Sequence, residues 1–138
     1  MGCIVNILMA YKIEWTKRGV IWTYSETMTG EDILQSNLEI FGDERFDDLR
    51  YQIADMTAVD RIQMEDVHIR KMAFLDVAAA RSNSKIRVAI VSTTDAAKDL
   101  GDAYKKYAAE KSPWETRIFS SRDAADAWVA EVTEGHST

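Results

Sequence analysis

The stretch "IRVAIVS", Ile86 to Ser92, most constrains what this chain can fold into. Its continuous apolar run, Val88 to Val91, bounded by polar residues, is a strand covered on both faces rather than one. Coverage on both faces requires helices, and the neighbouring segments supply them. "YKIEW" puts Tyr11, Ile13 and Trp15 on one side of a strand at period two. "TKRG" (Thr16 to Gly19) reads as a hairpin turn into "VIWTY", Val20 to Tyr24. Thr29 then stands as an N-cap with Asp32 three residues on, and Ile33, Leu34, Leu38 and Phe41 follow at helical spacing before Gly42.

"LRYQIAD" is the third strand, ending at Asp55, and a long second helix runs from about Met64 to Ser82. A third helix in "TTDAAKDLGDAYKKYAAEKS" carries Leu100, Tyr104, Tyr107 and Ala108 on one stripe. "WETRIFS" is the fifth strand, and the last helix buries Ala125, Trp128, Val129 and Val132. The order is β-β-α-β-α-β-α-β-α. It predicts an α/β fold with a mostly parallel five-stranded sheet led by an antiparallel hairpin.

With 138 residues, one proline (Pro113) and no repeat, the chain reads as one domain over 1–138. Residues 1–9 are expected to be an apolar extension and 133–138 a frayed tail. A net charge of −6 speaks against nucleic acid, which selects a basic face, and against an anionic membrane surface. One cysteine, Cys3, allows neither a disulfide framework nor a cysteine metal site. "MGCIVNILMA" lacks the cationic start and cleavage site of a signal peptide, and Asn6 stands where myristoylation asks for Ser or Thr. The expectation is a soluble cytoplasmic protein without a membrane span.

Three stretches, "RYQIADMTAVDRIQMEDV", "RVAIVSTTDAAKDLGDAY" and "SPWETRIFSSRDAADAWV", resemble the SpoIIAA-like family of small bacterial proteins. That family is grouped with the STAS fold of anti-sigma-factor antagonists and with Sec14/CRAL-TRIO-like lipid-binding folds. The resemblance covers about Tyr11 to Glu131. It implies regulation through protein contacts, with a phosphorylatable serine in an Asp-Ser-Ser-Gly-like elbow opening the second helix. Laid on this chain, Asp55, Thr57 and Val59 fall at the strand end and turn, and the elbow falls on Gln63, Met64, Glu65 and Asp66. Both serines and the glycine are missing, so the phosphorylation switch does not carry over. Glu65, at the phosphoacceptor position, is either a fixed mimic of phosphate or an ordinary acid at a helix start.

The candidate recognition elbow is therefore Asp55, Thr57, Asp60, Glu65 and Asp66. As a hard-cation cluster these carboxylates lack a phosphate cradle or a placed lysine, and no metal or cofactor is expected. His68 has no nucleophile delivered to it in sequence and reads as a boundary histidine. Helix N-termini after Asp55, Ser92 and Ser120 are expected to gather at the carboxyl edge of the sheet. There Ser92, Thr93, Thr94, Ser120, Ser121 and Arg122 form a candidate anion-binding edge, with capping by Thr94 and Ser121 as the plainer role.

The second helix is apolar on two sides. Met64, Val67, Met72, Phe74, Leu75 and Ala78 are expected to face the core; Ile69, Ala73, Val77 and Ala80 form a second stripe. Ile69, Ala73 and Val77 are the candidate interface for a protein partner or a homodimer, unless Ile4 to Met9 folds over them. The function expected is a non-enzymatic binding or regulatory module. The alternative is a carrier of a small apolar or anionic, lipid-like ligand, and a small hydrolase or transferase has least support.

Overall fold

The computed structural model describes residues 11–108 and 111–134. Five strands form one sheet in the order β1 (Tyr11–Trp15), β2 (Gly19–Thr29), β3 (Tyr51–Gln63), β4 (Arg87–Val91) and β5 (Glu115–Phe119). β1 pairs antiparallel with β2, and every later pair is parallel. The hairpin closes through the Thr16 N–H, which donates to the Gly19 carbonyl at 2.8 Å. The helices are α1 (Gly30–Phe41), α2 (Asp66–Ala79), α3 (Asp95–Ala108) and α4 (Arg122–Glu134), with a 3₁₀ turn at Glu44–Asp48.

Strand order equals chain order, so successive right-handed crossovers lay α1, α2 and α3 on one face of the sheet. The larger core forms there, around Trp22, Tyr24, Met28, Met56, Met72 and Leu100. On the other face α4 is the one helix among the described residues to cover Ile21, Ile53, Ala89 and Val91, with Ala125, Trp128 and Val129. This explains the uniformly apolar β4: Val88 and Ile90 serve one core, Ala89 and Val91 the other. Sheet, hairpin and helix order all match the expectation from the sequence.

Three local readings need correction. β3 does not end at Asp55; it continues to Gln63 beside a β2 that continues to Thr29. β4 pairs with β3 only as far as Asp55, so Met56–Gln63 and Ser25–Thr29 form a two-stranded ribbon beyond the sheet edge. Register shifts between Thr23 and Ser25 and between Glu26 and Thr27 interrupt the period-two signal, and Glu26 sits at φ 55. The α2 N-terminus is thereby carried off the edge, where only those of α3 and α4 gather.

The second correction concerns α2, which spans Asp66–Ala79 rather than reaching Ser82. Its inner face is Met72, Ala73, Asp76 and Ala80, with Ile69 partly buried against the core, whereas Phe74 is 73% exposed and Val67 48%. The two apolar stripes are partly exchanged relative to expectation: Met64 and Met72 keep their place against the core, while Ala73 and Ala80 are buried and Val67 and Phe74 exposed. An acid at the centre of the true inner face hides it from any reading that looks for apolar periodicity. Leu38 of α1 is likewise 48% exposed, while Ser36 and Asn37 are buried.

Thirdly, α4 includes Thr133 and Glu134, so the helix runs into the expected tail. The apolar extension 1–9, and its folding over α2, lie outside the described residues.

Candidate functional site

The expected elbow residues do not form one site. Asp55 ends the region where β3 is paired on both sides, and from there to Gln63 is roughly 25 Å of strand at about 3.3 Å per residue. The Asp55 Oδ1 accepts the Thr57 N–H (3.0 Å) and hydroxyl (2.7 Å), while Oδ2 receives Arg122 Nη1 at 3.2 Å. Asp60 is exposed on the ribbon. Glu65 is the N-cap residue of α2, and its N–H donates to His68 Nδ1 at 3.1 Å. Asp66 pairs with Arg70 at 2.8 Å and accepts the Tyr107 hydroxyl at 2.7 Å. Glu65 and Asp66 therefore open a helix whose first turn is closed locally and tied to α3.

His68 lies over Gly30: a Cβ at Gly30 would come within 2.3 Å of the imidazole. With Nδ1 taking the Glu65 N–H, the ring holds the start of α2 against the start of α1. Among the described residues no group of three His, Cys, Asp or Glu is placed to hold a metal ion.

At the carboxyl edge, Thr94 Oγ1 accepts the Ala97 N–H and Ser121 Oγ the Ala124 N–H, each at 3.2 Å. Both hydroxyls cap their helices. Ser92 is buried, its N–H on the Phe119 carbonyl at 2.9 Å, while Thr93 and Ser120 are exposed. Arg122 divides its guanidinium between Asp55 and Asp126, the latter at 2.9 Å from Nε. Arg122, the cation expected at this edge, is thus shared by two carboxylates.

The α1–α2 surface is different in character. An open groove of about 530 Å³ runs between the two helices, lined by Leu34, Leu38, Val67 and Phe74 and flanked by Arg70 and Lys71. A second groove, of about 430 Å³, runs between α2 and α3 past Val77, Tyr107 and Lys111. Phe74 borders both and forms the ridge between them. Of the three expected interface residues, Ala73 is 3% exposed and turns inward, Ile69 is partly buried against the core, and Val77 lines the second groove. The large apolar side chains that α2 exposes are thus Phe74 and Val67, whereas Ile69 and Ala73 are turned largely toward the core.

Sequence reasoning missed a polar cluster inside the larger core. Asp76 of α2 is 3% exposed and accepts the Tyr104 hydroxyl of α3; Gln52 of β3 is 1% exposed. Burial pushes the Asp76 carboxyl up to about 7, against the opposing pull of that hydrogen bond, and pushes the Tyr104 hydroxyl well above its ordinary value. Both residues line an internal cavity of about 40 Å³. A glutamine inside "YQIA" and an aspartate inside "AFLDVAAA" were the available signals, since a lone polar residue in an apolar run is unusual.

The fold is α/β and SpoIIAA-like. Comparison with solved structures shows the same fold in the anti-sigma factor antagonist SpoIIAA in its unphosphorylated form. It is 10% identical, with a TM-score of 0.61 over 94% of this chain and 100% of that one. The Bacillus cell fate determinant SpoIIAA in the phosphorylated form is 8% identical, with a TM-score of 0.57 over 86% of this chain and 99% of that one. An uncharacterised DUF3478-family protein with a SpoIIAA-like fold, from Shewanella loihica, is 18% identical. Its TM-score is 0.51 over 87% of this chain and 92% of that one. No protein-family model matches the sequence, and no match was found among curated proteins. No helix among the described residues is long and apolar enough to cross a membrane.

Proposed function

We propose that this chain is a non-enzymatic regulatory or binding module that works through protein–protein contacts made by the α1–α2 face, with a second copy of the chain as its partner. The observation that carries the reading is the exposure of Leu38, Val67 and Phe74 on adjoining helices. Three large apolar side chains around one groove lose free energy when covered by another apolar surface. The patch also holds both halves of a self-complementary contact, because the Phe74 ridge adjoins a groove able to receive an aromatic ring. α1 carries Glu31, Asp32 and Glu39 and no Lys or Arg, whereas α2 presents Arg70 and Lys71 beside the groove. A two-fold arrangement brings acidic α1 over basic α2 in each half of the interface.

The fold of an anti-sigma factor antagonist supports a regulatory role. The elbow has no serine, so regulation by phosphorylation there is not part of the reading, and Glu65 fixes a negative charge at the helix start. Among the described residues, the internal cavity of about 40 Å³ is far too small for a lipid-like ligand. For hydrolase or transferase chemistry, His68 is engaged with the Glu65 N–H and Asp66 with Arg70 and Tyr107.

Light scattering coupled to size exclusion tests the proposal. The wild-type chain should give a dimer mass at micromolar concentration and Phe74→Lys a monomer mass. A wild-type monomer at every concentration reached, or a dimer unchanged by Phe74→Lys, refutes the proposal.

A further inference from the structure

The cavity on the α1–α3 face of the sheet is lined wholly by buried residues. The lining is almost wholly apolar, but two of its residues carry a buried polar atom, Gln52 Nε2 and Asp76 Oδ1, with no hydrogen-bond partner among the described residues. Their chemistry is complementary. The amide nitrogen only donates and the carboxylate oxygen accepts, so water in the cavity can take the first bond and give the second. The space suits that guest: about 40 Å³ compares with about 10–15 Å³ for one water centre, enough for about three. Dry cavities in proteins are lined by apolar groups alone, and this one is not.

We propose that the cavity is an internal water-binding site held between the Gln52 amide and the Asp76 carboxyl, and that its water lets Asp76 gain and lose a proton inside the folded core. The surroundings of Asp76 favour this role. From α3, Tyr104 donates its hydroxyl to Oδ2. From β2, Tyr24 faces the site with its hydroxyl bonded to Ser36 Oγ at 2.7 Å, and from α1 Asn37 lines the wall with its Nδ2 on the Ile33 carbonyl at 2.7 Å. β3 contributes Gln52. No Lys, Arg or His is among the lining residues, so no fixed cation holds the carboxyl ionised. Burial then places its titration near neutrality.

Two measurements on the wild-type chain test the site. High-resolution crystals, with and without xenon pressure, should show a density peak within hydrogen-bond distance of Gln52 Nε2 and Asp76 Oδ1 and no xenon in the cavity. Xenon filling an otherwise empty cavity overturns the proposal, because noble gas enters dry apolar voids. Carbon-detected NMR between pH about 5 and about 9 should show the Asp76 carboxyl titrating while the amide spectrum stays that of the folded chain. A carboxyl resonance that does not move over that window overturns it equally. Gln52→Leu should remove the bound water and raise the midpoint, since the ionised form loses its hydrated partner; a midpoint unchanged in a folded Gln52→Leu chain counts against the site.

Discussion

Phe74 and Asp76 lie next but one to each other in α2 and point to opposite worlds, the ring 73% exposed and the carboxyl-bearing residue 3%. The helix therefore has its solvent side where its largest apolar residue stands and its core side where its acid stands. Substitution should separate the two sides cleanly. Phe74→Lys and Val67→Lys should abolish self-association while changing stability by no more than about 0.5 kcal/mol, as for surface sites generally. Ala73→Lys, at a position 3% exposed, should unfold the chain or cost more than about 3 kcal/mol, because it forces an ammonium group into the core. Denaturant titration beside light scattering reads both effects.

That inversion also marks how much of the molecule was legible in its residues. β4, the capped start of α1 and the inner stripes of α3 and α4 follow from local rules: a continuous apolar run, a Thr29–Asp32 capping box seen at 3.1 Å in both directions, and clean helical spacing. The ribbon of β2 and β3 does not, because residues outside the sheet alternate weakly and its bulges shift the period. The inner face of α2 could not be read because Asp76 is stabilised there by Tyr104, which belongs to another helix. Self-consistent segments announce themselves; segments whose polar groups are satisfied by distant partners do not.

The buried carboxyl makes stability depend on pH with a definite sign. Folding raises the Asp76 value from 3.8 to about 7, so between those values the folded chain binds more protons than the unfolded one. Stability therefore falls as pH rises from about 4 through 7 and levels above that. At about 1.4 kcal/mol per unit, the loss is on the order of 4 kcal/mol. Asp76→Asn should remove this slope. The measurement is the difference between wild-type and variant unfolding free energies across that range, which cancels the other titrating groups. A difference independent of pH contradicts the assignment.

Gly30 and His68 should behave as a coupled pair. A methyl group at Gly30 meets the imidazole at 2.3 Å from Cγ, and that ring also takes the Glu65 N–H that opens α2. Gly30→Ala should cost about 1–3 kcal/mol, the usual range for overpacking. His68→Ala should cost about 1 kcal/mol through the lost cap bond and contact. The double variant should be more stable than the sum of the two predicts, since removing the ring makes room for the methyl. A double-mutant cycle by urea denaturation gives the coupling, and additive effects contradict the contact.

Arg122 bridges two acids of unequal burial, and this ranks the consequences of cutting each bond. The Asp55 side chain is 10% exposed, and Asp126 is 50% exposed in the first turns of α4. Arg122→Ala leaves Asp55 Oδ2 without its guanidinium partner close to the sheet, while Thr57 continues to hold Oδ1. The expected cost is about 1–3 kcal/mol, the range for a buried acceptor stripped of its donor. Asp126→Ala severs only an exposed pair and should cost no more than about 0.5 kcal/mol. Asp55→Asn should fall between them, because the amide keeps an oxygen for Thr57 and presents a nitrogen toward Arg122. Chemical denaturation of the three variants checks the order. Equal costs for Arg122→Ala and Asp126→Ala would place the stabilisation in the helix surface and remove Asp55 from the account.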